Sequence, residues 1–98
     1  MGAALHTGEN TMFEIKFTDD ALEDLEIFPR SEQREILASL ESQLTLDAAK
    51  ENEDRRRLHF NGVAEWEIRL DNDVRVFYDV DIQTETVKIE AVGKRFLR

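Results

Sequence analysis

A chain of 98 residues has room for one hydrophobic core and not two. With 41% apolar and 36% charged residues it reads as a globular, water-soluble domain. The absence of cysteine excludes disulfides and thiolate chemistry, and the simplest expectation is a cytoplasmic protein. No apolar run approaches the roughly 20 residues of a membrane helix, and no signal peptide opens the chain. His6 and His59 are too few and too far apart for a metal site, and no cofactor motif is present, so neither metal nor cofactor is expected. A net charge of −9 argues against general nucleic-acid binding. The charge is uneven, however: residues 1–54 carry 14 acids and 4 bases, and residues 55–98 carry 8 acids and 9 bases.

In chain order, residues 1–11 (MGAALHTGENT) lack periodicity and are expected to be a disordered leader, with the domain spanning 12–98. Phe13, Ile15 and Phe17 alternate with polar residues, which predicts a strand. Thr18 or Asp19 is placed to cap a helix carrying the apolar stripe Ala21, Leu25 and Phe28, which Pro29 ends. Ser31 is the predicted cap of a second helix, with Ile36, Leu37, Leu40 and Leu44 as its apolar face and an end near Leu46. Residues 47–61 show no clean pattern, and Arg55, Arg56 and Arg57 form the densest positive run. This run is either a solvated cluster or a phosphate-positioning element. His59, with an ordinary pKa near ~6.5, is a candidate for moving protons.

The stretch Trp66–Val80 (WEIRLDNDVRVFYDV) alternates twice around Asp71, Asn72 and Asp73, which predicts a hairpin. Opposed residues share a face, so apolar must oppose apolar. The tightest such register sets Leu70 opposite Val74, Ile68 opposite Val76 and Trp66 opposite Tyr78, and thereby Arg69 opposite Arg75 on the other face. Two like charges in opposed positions cost stability unless acids neutralise them, or unless they serve to grip an anion. A last strand is predicted from the alternation of Val87, Ile89 and Ala91 with Lys88 and Glu90, broken by Gly93 before Lys94 and Arg95. The fold class that follows is α+β: an N-terminal strand, a helical hairpin, then a three-stranded antiparallel meander, forming one twisted sheet with both helices on one face.

The runs W-E-I-R-L, V-R-V-F-Y-D-V-D and V-K-I-E-A-V-G-K-R resemble the C-terminal half of the RelE/ParE toxin superfamily. F-E-I-K-F-T-D-D-A-L-E-D-L resembles its opening strand and helix, so the resemblance covers most of residues 12–95. It implies a toxin of a toxin–antitoxin pair: a RelE-like ribosome-dependent mRNA endoribonuclease that represses translation. A ParE-like gyrase inhibitor and an inactive antitoxin-binding module are the alternatives. The implied partners are a cognate antitoxin and ribosome-bound mRNA, with operator DNA reached only through the antitoxin and no membrane.

By resemblance, Arg69 fills a basic strand position, Arg75 begins the R-x-x-Y strand, and Arg95 closes V-G-K-R, so these three are the candidate catalytic residues. Lys94, Arg55, Arg56 and Arg57 are the candidate RNA-phosphate ligands, and Glu67 and His59 the candidate general bases. Glu67 stands where the RelE pattern has lysine, and the tyrosine that pattern places after V-G-K-R has no counterpart before Arg98. Tyr78 is no substitute, because its face points to the core. RNA cleavage of this type needs no metal: the ribose 2′-hydroxyl attacks the adjacent phosphate, and the protein orients the chain, stabilises charge and moves two protons.

Overall fold

A computed structural model of the chain describes residues 12–58 and 63–94; the leader, His59 and Arg95 lie outside the described residues. The elements are β1 (Glu14–Phe17), α1 (Asp19–Glu26), α2 (Arg30–Leu44), β2 (Arg55–Arg57), β3 (Trp66–Arg69), β4 (Val74–Asp81) and β5 (Thr86–Lys94). The sheet order is β1-β5-β4-β3-β2. Strands β2 to β5 run antiparallel in sequence, and β1 adds parallel to β5 with Ile15 beside Val87.

Thr18 caps α1: its hydroxyl oxygen accepts from the Ala21 N–H at 3.0 Å. Ser31 does not cap α2. The helix starts two residues earlier than a Ser31 cap implies, at Arg30, with Pro29 in extended geometry as the cap residue. Proline fixes φ near the helical value and gives up an N–H that has no helical partner there, so it starts this helix as well as stopping the one before it. Gln33 steadies the joint by donating through Nε2 to the Phe28 carbonyl at 2.8 Å. Ala21 and Leu25 of α1, with Ile36, Leu40 and Leu44 of α2, are buried against Trp66, Ile68, Val76, Tyr78, Val87 and Ile89 of the sheet. Both helices thus cover one face, and the other face is left for function.

The hairpin register is the predicted one: Trp66 opposes Tyr78, Ile68 opposes Val76, and Arg69 opposes Arg75. Its loop is Asp71–Asp73, with Asn72 (φ 64°) and Asp73 (φ 62°) in the left-handed region that short polar side chains tolerate. Tyr78 is fully buried; its hydroxyl donates to the Ala48 carbonyl at 3.0 Å, and its ring stacks on Trp66 with centroids 6.0 Å apart. Burial pushes its phenol well above the usual tyrosine range, against a smaller opposite pull from the nearby Arg55 charge. Tyr78→Phe is expected to lower stability by about 1 kcal/mol, because it orphans the Ala48 carbonyl at almost unchanged shape. A urea midpoint that falls at constant m-value would show it.

The sheet also differs from the reading of the sequence in β2 and in β5. Arg55–Arg57 is a strand at the sheet edge, paired with β3, rather than an unpatterned connection. The side-chain oxygen of Asn52 starts it by accepting from the N–H groups of Asp54 and Arg55, both at 2.8 Å. The second difference lies in β5. Phe77 pairs with Ala91 but Tyr78 pairs with Ile89, so Glu90 is the extra residue of a β-bulge. The bulge flips the phase of the strand: Ala91 faces away from the core, and Val92 enters it, 5% exposed. Gly93 does not break the strand, which continues through Lys94.

Among the described residues, no helix is long and apolar enough to cross a membrane.

Candidate functional site

Strand alternation puts Glu67 and Arg69 of β3, and Arg75 and Phe77 of β4, on the helix-free face of the sheet. The bulge in β5 adds Ala91 and Gly93 to the same face. Across the strands these side chains form rows: Arg69, Arg75 and Gly93 are in one register, and Arg56, Glu67, Phe77 and Ala91 in the next.

The Arg69–Arg75 opposition is held apart by different partners. Arg69 donates through Nη2 to the Glu53 carbonyl at 2.9 Å, and its own N–H donates to the Asp54 carbonyl at 2.8 Å. Among the described residues no carboxylate pairs with the Arg69 guanidinium. Arg75 instead donates through Nη1 to Glu67 Oε2, and Arg56 donates through Nε to the other oxygen, Glu67 Oε1, at 3.0 Å. Glu67 is only 3% exposed although it points away from the core, because these two guanidiniums close over it. Burial pushes its carboxyl up, but the hydrogen bonds from Arg75 and then Arg56, with their charges, outweigh this. The group therefore sits below the usual carboxylate range and is ionised at neutral pH. Asn52, Glu53, Asp54, Arg56, Glu67, Arg69 and Arg75 line a hollow of about 480 Å³.

The arginine run is divided by the same alternation. Arg56 faces the hollow. Arg55 opposes Ile68 on the helix side, 8% exposed, where Nη1 donates to the Gln43 carbonyl in the last turn of α2 at 2.7 Å. A cation there complements the helix dipole. Arg57 lies over the Trp66 ring, 5.6 Å from its centroid. Lys94 also lies on the helix side, opposite Val74, with Nζ 3.2 Å from Glu32 of α2. Of the candidates within the described residues, the fold therefore brings Arg56, Glu67, Arg69 and Arg75 together, and sends Arg55, Arg57 and Lys94 to the other side.

Gly93 was missed by sequence reasoning as a member of this face; Phe77 falls on it by the same alternation that places Arg75, but was not singled out as a site residue. Gly93 has no left-handed φ, and a Cβ built on it meets nothing within 4 Å. Neither backbone nor packing requires glycine there. Gly93→Ala is expected to keep or raise stability, by less than about 1 kcal/mol, through a stiffer unfolded chain. A drop in thermal midpoint would contradict this account of the open space beside Arg75.

Chemically, the face offers one guanidinium without a carboxylate partner, a second held in place by a buried carboxylate, and an open floor. Such an arrangement can hold a phosphate and stabilise the charge that builds up on it. Among the described residues, no group of three or more His, Cys, Asp or Glu is placed to hold a metal ion.

The comparisons agree on the fold. Residues 15–95 match the model of the ParE toxin of the type II toxin–antitoxin system parDE. Among solved structures, a chain of the RelBE2 toxin–antitoxin complex from Mycobacterium tuberculosis is 20% identical, with a TM-score of 0.76, covering 88% of this chain and 94% of that one. A chain of the archaeal RelE–RelB complex from Pyrococcus horikoshii is 20% identical, with a TM-score of 0.68, covering 89% and 99%. The YoeB dimer of Staphylococcus aureus is 22% identical, with a TM-score of 0.56, covering 87% and 99%. No curated protein matches the chain significantly in sequence. Identities this low carry the fold and not the activity. The family match, spanning most of the chain and ending within the V-G-K-R segment, goes further: this protein belongs to the ParE toxin family of type II toxin–antitoxin systems, within the RelE/ParE superfamily.

Proposed function

We infer that this toxin acts as a RelE-like endoribonuclease on ribosome-bound mRNA and so represses translation. The observation that supports the reading is the Arg69–Arg75 opposition on the helix-free face, where Glu67 holds one guanidinium and leaves the other without a carboxylate. In this mechanism the two arginines hold the scissile phosphate and stabilise the pentavalent charge as the 2′-hydroxyl loses its proton and attacks. The bond to the 5′-oxygen of the next nucleotide breaks, that oxygen takes up a proton, and a 2′,3′-cyclic phosphate is left. Arg95 is a third candidate for this role by resemblance alone. Glu67 has both oxygens engaged and a depressed pKa, so it serves to orient Arg75 rather than to take a proton. Proton transfer then falls to another group, for which His59 is the candidate in this chain.

A cognate antitoxin is the expected partner, since several structural neighbours are toxin–antitoxin complexes. Seating on the arginine face would neutralise the toxin directly. Operator DNA is reached only through that antitoxin, and the site of action is the cytoplasm, where the ribosomes are.

A second reading, gyrase inhibition of the ParE type, is favoured by the family model that matches and by the carboxylate that offsets Arg75. One experiment separates the two. In primer extension on an mRNA in a cell-free translation reaction, new cuts at A-site codons that vanish without ribosomes are expected. An uncut transcript at high protein concentration, together with loss of supercoiling by gyrase, would replace the first reading by the second.

A further inference from the structure

The geometry points to Phe77 as a stacking platform for an unpaired nucleobase of the RNA whose phosphate the arginines hold. This rests on the RNA reading above and deepens it. Phe77 is an aromatic residue on the solvent side of the sheet. It is partly buried, yet it is not among the partly buried residues packed against the core, which are Ile15, Phe17, Phe28, Leu70 and Val80. Packing in the core therefore does not set this ring, which keeps part of its apolar surface open on the helix-free face.

Its surroundings suit a flat ligand. On the β5 side its register partner is Ala91, and the next outward position along that strand is Gly93, over which a Cβ would meet nothing within 4 Å. Neither residue raises a wall beside the ring. On the β3 side its partner is Glu67, whose carboxylate is turned to Arg56 and Arg75 and carries no unpaired charge towards the ring. Arg75 lies two residues before Phe77 on the same face, roughly 7 Å along the strand. That is within the span of one nucleotide from its phosphate to its base. A cationic grip with an aromatic surface one step away is how proteins hold single-stranded nucleic acid, because every base offers a π-face.

The test uses the full chain and two fluorescein-labelled octaribonucleotides at low salt: one of ordinary sequence, and one abasic throughout with the same phosphate backbone. Anisotropy titrations are expected to show the ordinary RNA binding about tenfold more tightly than the abasic one. Phe77→Leu should remove that preference and leave abasic binding unchanged, with the urea midpoint confirming a folded protein. In Phe77→Trp the new indole should be quenched by the ordinary RNA and not by the abasic one, against the constant background of buried Trp66. If the Leu variant keeps the preference, or the indole responds equally to both RNAs, the platform is wrong while the phosphate grip stands. If the wild type binds neither RNA, or both equally, the platform is wrong, while the ribosome-dependent reading stands or falls by the primer-extension result.

Discussion

Arg75→Gln should reduce ribosome-dependent RNA cleavage by about 10²–10³-fold, the effect of removing one preorganised donor to a developing oxyanion. Arg75 is set to have this effect because its side chain is only 20% exposed and is fixed by Glu67, so its remaining N–H groups need no reorganisation when charge develops. Glutamine can still donate to Glu67, so the fold should survive, and an unchanged melting temperature would verify it. Arg69→Gln should cost less, since among the described residues the Arg69 guanidinium is tethered only through the Glu53 carbonyl and lies in a more exposed position. Cleavage rates from primer extension with saturating programmed ribosomes would rank the two. Equal rates for wild type and Arg75→Gln would rule out the arginine face as the seat of cleavage.

Glu67→Ala acts on stability and on binding in opposite directions. Removing the carboxylate leaves Arg75 partly buried without a counter-charge, which should cost about 1–3 kcal/mol. The contact with Arg56 adds little to that figure, because the Arg56 side chain is 68% exposed and solvent screens it. The pH dependence has a definite sign. The folded-state pKa of Glu67 lies below its unfolded value, so its contribution is fully present above the ordinary carboxylate pKa of ~4.3 and is lost as pH falls through the lowered folded value. The gap in urea midpoint between wild type and variant should therefore be widest near neutral pH and should close in acid. A gap that widens in acid would contradict the ion-pair account. Over the same neutral range the variant face gains one net positive charge, so its affinity for single-stranded RNA should rise and depend more steeply on salt. Loss of affinity would mean that the orientation Glu67 gives Arg75 outweighs the negative charge it brings to the face.

Much of this architecture was legible from residue order. The β3–β4 hairpin declares itself because each strand alternates with period two, and because parity allows few registers that keep apolar opposite apolar. The Arg69–Arg75 opposition follows from the same rule with no further information. The two helices were legible from their apolar stripes. The start of α2 was misplaced by two residues because Ser31 is the usual kind of cap and Pro29 also fits one end of a helix.

What the sequence by itself determined is what local periodicity can encode: the element types, the central register, and the charged face on which Arg69, Glu67 and Arg75 lie. Tertiary structure decided the rest. A three-residue strand of arginines has no alternation to read, and β2 exists only because β3 offers it an edge. Its pairing divides the arginine run and sends Arg56 alone to the hollow. One extra residue in β5 reverses the phase of everything after it, and no composition signal marks Glu90 as that residue. The bulge decides that Gly93 opens the face beside Arg75 and that Lys94 turns to Glu32. The buried state of Glu67 depends on guanidiniums from two different strands, β2 and β4, meeting over one carboxylate. Contacts between residues far apart in sequence leave no periodic trace, so the grip on Arg75 could be seen only once the strands were in place.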